Sequence, residues 1–70
     1  MTERYCVFKL NSLYLERVDT GDIFVYTSYR NAALKFKNFD DANDFAHRFK
    51  DSYEMNNLVC YEIIIREELM

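Results

Sequence analysis

The chain has one histidine, His47, with Asp44 three residues before it and Asp51 four after. On a helix those spacings set an imidazole near two carboxylates. Such a set could shuttle a proton or ligate a metal. It makes a poor metal site, because transition metals take three or four convergent ligands, so His47 is read as a solvent-facing side chain near acids. Asp40, Asp41 and Asp44 could suggest a divalent cation. A calcium loop, however, needs alternating oxygen ligands, a glycine in its turn and a closing glutamate, and none of these is present. Cys6 and Cys60 each sit inside apolar alternation, where a nucleophile would be shielded, and they read as two reduced, packed thiols. If their strands are neighbours a disulfide is geometrically possible. Gly21 is the only glycine, so no glycine-rich phosphate loop can form. No catalytic constellation emerges, and no cofactor or metal is expected.

The elements that would position these residues follow from periodicity. Ala42, Phe45, Ala46, Phe49 and Tyr53 fall on one stripe, which predicts a helix over 40–53. Asp40 is a good N-cap, Phe39 before it can staple the start, and Asp41 and Asp44 suit the positive end of the dipole. The rest reads as strands. Residues 4–10 and 13–18 alternate and are joined by a two-residue turn at Asn11-Ser12. Residues 19–22 form a second turn, with Gly21 supplying the left-handed position. Residues 23–27 are all β-branched or aromatic and make a third strand, whose facing depends on whether a bulge intervenes. Lys35-Phe36-Lys37 suggests a short edge strand. Asn56 or Asn57 is a plausible left-handed residue in the loop before the last strand, 58–66, whose length and apolarity suggest a central position beside the first. Residues 67–70 are expected to fray. The predicted fold is one α+β domain, an antiparallel sheet of four to five strands (β-β-β-β-α-β) with one helix on one face.

One helix covers one face of a sheet. Tyr5, Val7, Tyr14 and Val18 are expected on the other face, partly exposed, and available for self-association into a homodimer. No apolar run approaches the length that spans a bilayer, and no leader-like segment follows Met1, so a cytoplasmic protein without a membrane partner is expected. The chain carries 12 acidic and 9 basic residues, for a net charge of −3. Residues 51–70 hold five acids and one base, whereas 30–50 hold three acids and five bases. This is not the basic footprint of a phosphate-tracking domain. Sheet-borne aromatics beside cations (Tyr5, Tyr14, Lys9, Arg30, Lys35 and Lys37) keep a single-stranded nucleic-acid binder as an alternative. The opposite use of charge is a DNA mimic, in which carboxylates occupy a basic groove on a DNA-binding protein. The acids available for it are Glu16, Asp19 and Asp22 on one hairpin, Asp40, Asp41 and Asp44 at the helix start, and Glu62, Glu67 and Glu68 on the last strand.

The runs Tyr5-Cys-Val-Phe-Lys-Leu10, Leu13-Tyr-Leu-Glu16, Gly21-Asp-Ile-Phe-Val-Tyr-Thr27 and Ala33-Leu-Lys-Phe36, followed by Phe39, Ala42 and Phe45-Ala46, resemble small proteins of Gram-positive bacteria and their phages. A short, acidic chain of this kind is also similar to the host-takeover proteins of large lytic Bacillus phages, which include a DNA-mimicking inhibitor of the histone-like HU protein. The resemblance implies a dimer, an acidic surface and no catalysis, and it carries no family site residue by residue. The expected function is a non-enzymatic, phage-encoded inhibitor that occupies the DNA-binding surface of an HU-like host protein, without direct nucleic-acid binding. A phage assembly or structural factor is a further alternative.

Overall fold

The computed structural model describes residues 2–66. Four antiparallel strands, β1 (Thr2–Leu10), β2 (Leu13–Asp19), β3 (Ile23–Thr27) and β4 (Val59–Arg66), form one open sheet in the order β3-β2-β1-β4. Helix α1 (Phe39–Arg48) and the single-turn α2 (Tyr53–Asn56) precede β4. The domain is thus α+β, as the periodicities predict. Asn11, Gly21 and Asp22 hold positive φ (56°, 84° and 57°), so both hairpin turns use the residues that tolerate it. Asn57 stays right-handed at φ −91°, and the turn before β4 needs no left-handed residue.

The first hairpin opens early. β1 and β2 pair only at Leu10↔Leu13 and Lys9↔Tyr14. Beyond that point the chain after β3 enters the gap. Cys6 and Phe36 exchange two backbone hydrogen bonds of 2.8 and 2.9 Å, and the Leu34 N–H donates to the Leu15 carbonyl at 2.9 Å. Since β4 takes the other side of Cys6 through Cys6↔Glu62, Phe36 lies where β2 would otherwise continue. The expected edge strand at 35–37 is therefore an insert between two strands. Its side chains alternate as a strand's do. Leu34 and Phe36 join the helix-side core, while Ala33 packs with Tyr5 and Val7 on the far side.

This route explains why the far face is not open. Thr27 ends β3, a 3₁₀ turn follows at Arg30–Ala32, and Ala33 lands on Tyr5 and Val7. Tyr5, Val7 and Ala33 are all buried, with Tyr14, Ile63 and Ile65 packed around them. Two of the expected self-association residues, Tyr5 and Val7, thus form a second small core. Val18 is corrected for a different reason. β2 carries a bulge between Leu15 and Arg17, which absorbs Glu16. The extra residue places Leu15 and Val18, three apart, on the same face. Val18 packs in the helix-side core with Phe24 and Tyr26, and only Tyr14 of the four keeps a half-buried place on the far face.

The helix stripe packs as its spacing requires through Ala42, Phe45, Ala46 and Phe49, against Phe8, Leu15 and Phe36. Rings pack edge-on or tilted in a chain: Phe36 lies 5.5 Å from Phe8 and 5.1 Å from Phe45, and Phe45 lies 5.1 Å from Phe49. The ends of the helix differ from expectation. Asn38, not Asp40, is the N-cap, with its side-chain oxygen accepting the Asp41 N–H at 2.9 Å. Phe39 is the first helical residue and is exposed, so it does not act as a staple. α1 stops at Arg48, and Ser52 caps a fresh turn by accepting the Met55 N–H. Restarting the helix rotates the pattern. Tyr53 is 84% exposed, and Met55 is buried in its place. β4 lies at the sheet edge rather than in its centre, pairing β1 from Thr2↔Arg66 to Lys9↔Val59 without interruption.

Candidate functional site

The acidic residues do not gather into one row. Glu16, at the bulge, and Asp19, at the end of β2, both bind Arg17, and the Arg17 Nε donates to the Asp19 carboxylate at 2.9 Å. One guanidinium thus serves two carboxylates, so only part of their charge is offset. Asp22 sits in the exposed β2–β3 turn with its left-handed backbone. Asp40, Asp41 and Asp44 are all exposed within the first turns of α1, and Asp41 and Asp44 flank a shallow groove shared with Arg48. Glu62 stands exposed on β4. Glu67 and Glu68 lie outside the described residues. Among the described residues, Asp22, Asp40, Asp41, Asp44 and Glu62 make no ion pair, and the only ion pairs are those of Arg17.

His47 is exposed on the last turn of α1, beside an open groove lined by Ala46, Lys50, Met55, Leu58 and Cys60. No group of three His, Cys, Asp or Glu side chains is placed to hold a metal ion among the described residues. Cys6 and Cys60 are free thiols on neighbouring strands, diagonal to each other because Cys6 opposes Glu62 and Phe8 opposes Cys60. Burial pushes the Cys60 thiol up to about 11, and its contact with Cys6 adds to that. Burial also raises Cys6, with the Glu62 carboxylate adding to the shift and the bond to Cys60 opposing it. Both sulfurs are therefore poor nucleophiles near neutral pH. Tyr26 donates to Glu54 at 2.6 Å, tying β3 to α2. Burial first, and then that carboxylate, hold its phenol well above the ordinary tyrosine range.

One cluster crosses three strands on the far face. The Lys9 ammonium lies 5.1 Å from the Tyr14 ring centre and 5.3 Å from that of Tyr61. Tyr14 also borders a groove with Ser28, Tyr29, Arg30 and Asn31. Lys35 is less available. Its ammonium donates to the Asn31 carbonyl at 2.8 Å and sits 5.5 Å from the buried Tyr5 ring. Tyr61 and Tyr29 are absent from the sequence-derived set of nucleic-acid contacts. The signal for Tyr61 is the β1–β4 register, which sets Val7 against Tyr61 and so brings Lys9 within reach of its ring.

No family model matches the chain, and no curated protein or solved structure matches it. No helix among the described residues is long and apolar enough to cross a membrane.

Proposed function

We propose that the chain is a non-catalytic binding protein that presents carboxylates to a basic surface. Its preferred partner is the DNA-binding groove of an HU-like nucleoid protein, which it occupies in place of DNA. In biological terms this is a phage-encoded host-takeover inhibitor. The observation that carries the reading is the set of exposed carboxylates (Asp22, Asp40, Asp41, Asp44 and Glu62) that no described cation neutralises. Unpaired surface charge of one sign attracts a surface of the other and speeds encounter at low salt. The test is a displacement titration of an HU–DNA complex at low salt. The protein should release DNA and bind HU, and replacing Asp40, Asp41 and Asp44 together by Asn should weaken the release. Failure of the parent protein to release DNA overturns the reading, as does a lysate pull-down that recovers another partner and no nucleoid protein.

A second reading is favoured by the Tyr14–Lys9–Tyr61 ladder with Tyr29 and Arg30 nearby. Rings and cations on a sheet hold single-stranded nucleic acid by stacking and charge. A mobility-shift titration with single-stranded DNA and RNA separates the two, because a mimic has no affinity for nucleic acid.

A further inference from the structure

β4 has one unpaired side among the described residues. Cys6 spends its backbone N–H and C=O on Phe36, so they point away from β4. In an antiparallel ladder the Cys6↔Glu62 pair is then one without mutual hydrogen bonds, and the backbone groups of Glu62 face outward. By the same alternation those of Cys60, Ile64 and Arg66 do too. Natural edges are blunted by proline, bulges, lysine or shortness. β4 has none of these, and of other charged side chains, which also blunt an edge, it carries only Glu62 and Arg66. It runs eight residues, its register with β1 is unbroken, and it leaves Val59, Tyr61 and Ile64 53%, 47% and 43% exposed. At its far end the ribbon of residues 2–4 and 64–66 pairs only with itself, and a two-stranded ribbon is marginal alone.

We propose that this edge is a homodimer interface, in which β4 pairs antiparallel with β4 of a second copy. Two registers about a two-fold axis overlap seven residues of β4. The one centred on Glu62 sets the two Glu62 carboxylates directly opposite, which is repulsive. The one centred on Ile63 pairs Glu62 with Ile64, Tyr61 with Ile65 and Cys60 with Arg66, and it matches every outward backbone group to an outward partner. The edge itself specifies a second copy as occupant, because one strand supplies both the outward donors and acceptors at matching positions and the exposed apolar side chains Tyr61 and Ile64 beside them. The result is a continuous eight-stranded sheet with Glu62 at its seam, while Asp22, Asp40, Asp41 and Asp44 lie outside β4.

The experiment is sedimentation equilibrium of the full chain from the micromolar to the millimolar range, with far-UV circular dichroism of each variant. The parent protein is expected to dimerise. Glu62→Pro removes an outward N–H that the β1–β4 ladder does not use, and is expected to be monomeric with an unchanged spectrum. Ile64 is exposed in the single chain, so two replacements there read the register without threatening the fold. Ile64→Asp meets Glu62 of the partner twice and should weaken the dimer about tenfold, whereas Ile64→Lys should keep it within about threefold of the parent. A parent protein that stays monomeric throughout overturns the proposal, as does a folded Glu62→Pro that still dimerises. Equal effects of Asp and Lys at position 64 overturn the register.

Discussion

Phe36 should be worth far more than its place in a connecting segment suggests. It is half-buried in the gap between β1 and β2 and packs edge-on against Phe8 and tilted against Phe45. Truncating a fully buried phenylalanine costs about 3–5 kcal/mol, and each aromatic pair contributes about 0.5–1.5 kcal/mol beyond its area. Allowing for partial exposure, Phe36→Ala should cost about 2–3 kcal/mol. A domain of this size is stable by only about 4–10 kcal/mol, so its melting temperature should fall by roughly 10–20 °C. The control is Phe39→Ala, whose ring is exposed and should cost under about 1 kcal/mol. Urea denaturation followed by circular dichroism measures both. Hydrogen exchange adds a check on the backbone, since the amides of Cys6, Leu34 and Phe36 are all bonded within the gap and should be protected together. If Phe36→Ala costs no more than Phe39→Ala, or if those three amides exchange freely, the insert is not part of the sheet.

Two further outcomes follow from the caps and the thiols. Asn38→Ala should destabilise by about 1 kcal/mol in the same denaturation assay, whereas Asp40→Ala, which loses only a dipole contact, should cost under about 0.5 kcal/mol. Alkylation of Cys60 should keep accelerating with pH toward its raised value of about 11, past the midpoint near 9 of an ordinary thiol. The sign for stability follows. Between those two pH values the unfolded chain has lost this proton and the folded chain retains it, so folding stability falls as pH rises through that window.

The elements that local periodicity encodes were legible in the sequence. The β1–β2 turn, all five residues of β3 and the stripe Ala42, Phe45, Ala46 and Phe49 need only spacing and turn chemistry to be read. Three features depend on partners distant along the chain. The bulge at Glu16 carries no glycine or proline to announce it, yet one residue of slip moves Val18 to the opposite face. The insertion of residues 33–36 between β1 and β2 is a nonlocal pairing, and it sets Ala33 over Tyr5 and Val7. The break in the helix after Arg48 likewise has no breaker, only Ser52 as a competing cap. The carboxylates proposed for the site can be named from the sequence, but their arrangement cannot be read from it. Arg17 claims two of them, an assignment that rests on side-chain geometry rather than on spacing.

The pairing of Thr2 with Arg66 has a consequence for the covalent chain itself. Positions 2 and 66 lie side by side, so the chain from 2 to 66 traces an almost closed ring. A short peptide joining position 66 to position 2 would lower the entropy of the unfolded chain while asking little of the folded one. The same closure would allow the backbone to be cut instead at Asn11-Ser12 or in the turn at Gly21, where exposed residues carry no core side chain. The linear order of this protein is then one of several ways to lay the same sheet, with the β1–β4 ribbon as the seam.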